Sequence, residues 1–155
     1  YFNRFDKDFG SKYDYTNLVI DIRKFYRIYR QQVLALQVFS FNNFGDSIPL
    51  RSLATLGGSG SMRGFYDGRY RDKNQIVLQA EYRFPIYNRW GITLFGSCGD
   101  IGHNFTDYSL QTLKYAYGAG LRYAIHKNEK LNIRLDYGIG QNNNRGLYLQ
   151  LAEAF

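Results

Sequence analysis

The chain is poor in the residues that break, cross-link or metallate a fold. Its 155 residues hold two prolines, one cysteine, one methionine, one tryptophan and two histidines. The single Cys98 closes no internal disulfide, so cysteine says nothing about compartment. One thiol and two separated imidazoles, His103 and His126, make no zinc site, and neither a metal nor any other cofactor is expected. No apolar run approaches the roughly 20 residues of a membrane-crossing helix. That excludes nothing about strands, whose alternating signal is weak. No signal peptide is visible from Tyr1 onward, so an exported protein would be met here in mature or in trimmed form. The glycine-rich "GGSGS" lacks the Lys-Ser/Thr of a phosphate-binding loop, which excludes that reading.

What the chain has in quantity is glycine (16), tyrosine (15) and phenylalanine (12), with a net charge of +7. Aromatic residues favour strands and scattered glycines weaken helices. The length suits one domain, residues 1–155, able to close a core unaided. A basic, aromatic-rich chain can bind nucleic acid, but these aromatics fall at strand ends and form no stacking platform, so no nucleic-acid partner is expected.

Period-2 alternation is the dominant signal. In "LNIRLDYGIG", Leu131, Ile133, Leu135, Tyr137 and Ile139 share one face, and Asn132, Arg134, Asp136, Gly138 and Gly140 the other. "YAYGAGLRYAI", "QIVLQAEYRFPI" and "NLVIDIRKF" repeat the scheme; "VLALQVFSF", "GITLFGSCG", "LYLQLAEAF" and a less regular run from Phe2 to Phe9 bring the count to eight strands. Short turns ("YRIYRQQ", "YNRW", "HKNEK") alternate with longer or Gly/Asn-rich connections, the longest holding "LGGSGSMRGFYDGRYRDKN" from Leu56 to Asn74. Long loops at one end and short turns at the other are the habit of an outer-membrane barrel.

The polar faces decide between a soluble and a membrane barrel. They mix Gly118, Gly120, Gly138 and Gly140 with Asp21, Arg23, Glu81, Arg83, Arg122, Arg134 and Asp136. That is a poor solvent face and a plausible crowded lumen, where charges must pair. Phe25, Tyr26, Tyr82, Phe84, Tyr87, Trp90 and Tyr123 then read as interfacial girdles. The expected fold is all-β: an eight-stranded antiparallel up-and-down transmembrane β-barrel with one long extracellular loop.

Arg63-Gly64-Phe65 in that loop, followed by "AEYRFP", "GAGLRY", "IRLDYGIG" and a terminal Phe155, resembles the BamA/TamA-type outer-membrane assembly and transport superfamily, the bacterial surface antigen barrels. The similarity runs from about Thr16 to the end. It implies an outer-membrane protein of a Gram-negative bacterium that inserts or translocates proteins. It implies that Arg63 is the motif arginine and Glu81 its luminal partner. The family's second partner, the aspartate of a Phe-x-Asp-x-Gly strand, is replaced: "FGSCG" places Ser97 there, and Asp100 falls on the opposite face. The expected organisation is a barrel domain without polypeptide-transport-associated domains and with only half the family's strands. An eight-stranded barrel has room only for its own side chains, so the loop is expected to lie outside or above, with Arg63 away from Glu81.

Leu147, Leu149, Leu151 and Phe155 resemble the C-terminal targeting signal that the outer-membrane assembly machinery reads; Glu153 interrupts the series. Other expected partners are outer-membrane lipids or lipopolysaccharide, the latter through Arg51, Arg63, Arg69, Arg71 and Lys73, with a solvated loop as the plainer reading. The chain would be a monomer or a homodimer. His103 and Ser109 could be cast as base and nucleophile of an outer-membrane acyltransferase, but no orienting acid is evident, and the chain is read as no enzyme. The competing function is a closed, filled barrel with a structural or membrane-organising role and no transport.

Overall fold

The structure, a computed structural model, describes residues 1–6, 8, 10–126 and 131–151. Its strands are β1 (Phe2–Phe5), β2 (Tyr15–Arg27), β3 (Val33–Phe44), β4 (Ala54–Leu56), β5 (Tyr70–Asp72), β6 (Asn74–Tyr87), β7 (Trp90–Gly102), β8 (Lys114–His126), β9 (Leu131–Gly140) and β10 (Asn144–Leu151). Eight of them form one antiparallel sheet in the order β1-β2-β3-β6-β7-β8-β9-β10. The expected meander is therefore present, strand for strand. β4 and β5 pair with each other inside the long β3–β6 connection. They are three residues each and set among turn residues, too short for alternation to reveal.

Face assignment follows the alternation. Val77, Gln79 and Glu81 of β6, Thr93, Phe95 and Ser97 of β7, Ala116 and Arg122 of β8, and Arg134 and Asp136 of β9 are buried on one face. Ile20 and Ile22 of β2, Leu78, Leu94, Tyr117, Leu121, Leu135, Tyr137, Leu147 and Leu149 stand exposed on the other. The apolar face is outside and the charged face inside, the reverse of a water-soluble barrel. A continuous exposed apolar face of this extent marks a surface that meets something other than water.

Among the described residues the sheet is not closed, so the antiparallel eight-stranded meander is present without the expected closure into a barrel. Among the described residues β1 pairs with β2 and β10 with β9, and neither pairs with the other. The reason is the inner face, which is covered by the β3–β6 loop. A closed eight-stranded barrel has an interior just wide enough for side chains or one small ligand, and an open sheet provides the room that the docked loop takes. No described helix is long and apolar enough to cross a membrane, which has no bearing on strands.

Candidate functional site

The β3–β6 loop is built to lie on the sheet. Gly57 and Gly58 adopt positive φ (126° and 85°), and the Gly58 N–H donates to the Phe65 carbonyl at 2.9 Å, folding the intervening residues back on themselves. This brings Leu56, Met62 and Phe65 together against Val77 and Ala116 of the sheet, all essentially inaccessible, with Phe39, Tyr70 and Ile101 around them. Each such side chain contributes on the order of 1.5–3 kcal/mol by leaving water. The loop is thus a packed plug.

Glycine makes the approach possible. A Cβ on Gly138 of β9 would sit 2.6 Å from the Gly64 nitrogen and 2.8 Å from the Arg63 carbonyl carbon; one on Gly140 would sit 2.8 Å from the Phe65 ring. Gly64 itself has φ +115° and lies against the Gly140 backbone. Backbone therefore rests on backbone, and Arg63 is carried to the wall.

There its guanidinium forks. Nη2 donates to Glu81 Oε2 and Nη1 to Asp136 Oδ2, each at 2.7 Å, with all three side chains buried to within 1%. The guanidinium carbon lies 3.6 Å from the centre of the Phe95 ring. Arg83 Nε donates to Glu81 Oε1 at 2.5 Å, and Arg134 pairs with Asp136. Two carboxylates thus share three guanidiniums. Charges so buried persist only when paired and hydrogen-bonded, and arginine's planar fork suits one cation between two carboxylates better than lysine's point charge.

The placement of Arg63 against Glu81 corrects the expectation of a loop held outside. The second carboxylate comes from β9 and not from β7. Ser97 occupies the β7 position, its hydroxyl turned towards the Ala116 carbonyl at 3.5 Å. Asp100 lies on the other parity and pins the β7–β8 connection, accepting from the Ser109 N–H (3.2 Å), Thr112 Oγ1 (2.5 Å) and Lys114 Nζ (3.1 Å). Asp136 was legible as an inward charge, and the inward Gly138 and Gly140 beside it were the available sign that the loop docks on β9.

The remaining luminal residues divide. Asp21 and Arg23 form their own pair at 2.5 Å towards the β2 edge. An amide ladder ties that pair to the loop: Gln37 donates to Asp21 (2.8 Å), and Gln79 donates to Gln37 (2.9 Å) and to the Gly60 carbonyl (3.1 Å). Arg122 is buried on β8, in register with Arg134.

Tyr148 on β10 was not anticipated. Its hydroxyl accepts from the Gly64 N–H (2.9 Å) and donates to the Phe65 carbonyl (2.8 Å), while Gln150 donates to Ser59 Oγ (2.7 Å). Its outward neighbours Leu147, Leu149 and Leu151 are exposed; with leucines outside, parity alone sends Tyr148 in. Phe155, the last member of the expected targeting signal, lies outside the described residues, as does Glu153. Beside the clamp, a cavity of about 660 Å³ lies on the inner face between Phe39, Phe41, Gly58, Ser61, Gln75 and Tyr148.

His103 is exposed, 3.7 Å from Asp72, and Ser109 Oγ accepts from the Gln111 N–H, so the two are engaged separately. No cluster of metal-ligating side chains occurs among the described residues. The family model of the Omp85 superfamily domain matches residues 4–155. None of the curated proteins compared with the chain matches it.

Proposed function

The chain belongs to the Omp85 superfamily, and on that premise we propose that it is an outer-membrane protein of a Gram-negative bacterium that assists insertion or translocation of proteins there. The observation that carries the reading is the buried Arg63 fork, which fixes the motif loop to the inner wall through Glu81 and Asp136. The outward apolar face supplies a lipid-contacting surface. The edges of β1 and β10, unpaired among the described residues, offer backbone N–H and C=O groups that can template an incoming strand. In this reading the loop keeps the sheet curled while an edge stays available. No covalent chemistry is assigned to the chain, and the assembly machinery reads its last strand during its own insertion.

The test is client folding in lipid vesicles. Refolded protein is reconstituted, a urea-unfolded barrel client is added, and client folding is followed by heat-modifiable gel migration. The wild-type chain should accelerate folding, and Arg63→Ala should abolish most of the gain. A wild-type chain without effect would leave the second reading, a filled barrel with a membrane-organising role. The observation favouring that alternative is that the loop already occupies the inner face. Native mass in detergent separates monomer from homodimer.

A further inference from the structure

We infer that the short-turn end of the sheet is a docking surface for anionic phospholipid headgroups; the inference rests on the membrane reading above. The net charge is unevenly placed. At the long-loop end, cations are interleaved with carboxylates: Arg4 pairs with Asp6 and Asp14, and Lys114 with Asp100. Arg69 leans on Tyr66 and Lys73 on the Gly45 carbonyl, while Arg63 is withdrawn into the wall.

The short-turn end is different. Lys24, Arg27, Arg30 and Arg89 are all exposed there. No Asp or Glu occurs in residues 24–34, 83–94, 117–126, 131–135 or 147–151, the described parts of that end. Their contacts are with ring faces and a carbonyl: Lys24 lies 5.7 Å from the Tyr26 ring, Arg30 lies 5.2 Å from the Tyr29 ring, and Arg89 donates to the Ile125 carbonyl at 3.3 Å. Carboxylates on neighbouring turns of the wall are committed elsewhere, Asp21 to Arg23 and Glu81 to Arg63 and Arg83.

The order of residue types along the strands identifies the partner. On its outward face β2 runs from exposed Ile20 and Ile22 through Lys24 and exposed Tyr26, with Arg27 ending the strand and Arg30 in the turn beyond it. β7 traverses the same series in reverse, from Leu94 through Trp90 to Arg89 in the preceding turn. Trp90 packs against Tyr123 of β8 at 4.9 Å, extending the aromatic row across the sheet. Apolar, then amphipathic aromatic, then cationic is the depth profile of a leaflet: acyl chain, interface, phosphate. A soluble polyanion would need the charges alone; the aromatic row and its continuity with the apolar face fit a lipid. Guanidinium and ammonium groups both satisfy a phosphodiester.

The experiment uses the whole chain, folded in uncharged detergent and checked by heat-modifiable migration. Phosphatidylglycerol or phosphatidylcholine is added, and retained lipid is counted by native mass spectrometry. Phosphatidylglycerol should be retained preferentially, and Lys24→Gln/Arg27→Gln/Arg30→Gln/Arg89→Gln should reduce its retention by about tenfold, as expected for loss of several surface cations. Arg51→Gln/Arg71→Gln at the other end should leave it unchanged. If the quadruple variant does not fold, Arg30→Gln and Arg89→Gln singly should each reduce retention, and 0.5 M salt should do so in the wild type. Equal retention of both lipids, retention insensitive to the rim variants, or loss in the loop-end variant overturns the inference. So does glycerol phosphate binding as tightly as the lipid, since it lacks acyl chains. A chain that stays folded and monodisperse without detergent would instead overturn the membrane reading, a separate readout from lipid discrimination.

Discussion

Arg63 and Asp136 are 73 residues apart in the chain and 2.7 Å apart in space. The same guanidinium reaches Glu81, and Glu81 and Asp136 stand on strands separated by β7 and β8. Laid flat, that separation would be roughly 14 Å at about 4.8 Å per strand step. One planar cation cannot span it unless the sheet curls. The fork is therefore as much a statement about sheet curvature as about the loop, and Phe95, beneath the guanidinium, fills the chord.

Removing the cation should cost more than removing a surface charge by a wide margin. Arg63→Ala leaves Glu81 and Asp136 buried with one partner fewer each, and is expected to lower stability by about 3–5 kcal/mol. Arg63→Lys should recover little, because an ammonium group cannot fork to two carboxylates on different strands. Urea unfolding in lipid vesicles, followed by gel migration, measures both. A near-normal midpoint for Arg63→Ala would mean that the loop is held by its apolar plug alone.

Returning the second carboxylate to β7 should not rescue its loss from β9. In Ser97→Asp/Asp136→Asn the new carboxylate sits on the correct face, but Arg134, fully buried and paired with Asp136, loses its counter-ion. The double variant should remain as unstable as Asp136→Asn within about 0.5 kcal/mol, the usual limit of additivity. Recovery to wild-type stability would show that Arg134 does not depend on Asp136.

Much of this was open to inspection in the sequence. "LNIRLDYGIG" and its relatives place every residue on a face because the side-chain period of a strand is 2, and the charges mixed with glycines told which face turns inward. The motif loop was misplaced for one reason: closure of eight strands was assumed, and closure leaves no room for Met62 or Phe65. Parity puts Asp136 inside, but its meeting with Arg63 depends on curl, which no local pattern encodes. β4 and β5 were illegible because "ATL" and "YRD" are too short to alternate.

A methyl group at the docking line should eject the loop. Gly138→Ala would bring Cβ within 3 Å of Arg63 and Gly64 backbone atoms, an overpacking cost of about 1–3 kcal/mol. Trypsin should then cut at Arg63, Arg69 and Arg71 faster than in the wild type. Gly96→Ala, whose Cβ meets nothing within 4 Å, is the control. Equal cleavage in the two variants would disconnect Gly138 from loop seating.

Alkaline pH should loosen the β7–β8 connection through Tyr108. Burial, with Asp100, Asp72 and Asp107 nearby, pushes its phenol up to about 12. A raised value in the fold means that the protonated phenol contributes stability fully below pH 10, the ordinary value, and that the contribution is lost as pH rises from 10 through 12. The tyrosinate absorbance of the wild type minus that of Tyr108→Phe should show one group ionising near 12. A difference curve centred at 10 would contradict the buried placement.

Tyr148→Phe should uncouple the edge strand from the loop. The substitution keeps the ring and deletes two hydrogen bonds, from the Gly64 N–H to the hydroxyl and from the hydroxyl to the Phe65 carbonyl, at an expected cost of about 1–3 kcal/mol. Because β10, among the described residues, has β9 as its strand partner on one side and an unpaired edge on the other, its inward anchors matter more than those of a central strand. Hydrogen exchange should therefore quicken together in residues 57–66 and in 144–151, while β6 and β7 amides, paired on both sides, keep their protection. Faster exchange in the loop with β10 unchanged would show that the clamp holds only the loop, and that the free edge is ordered by β9 alone.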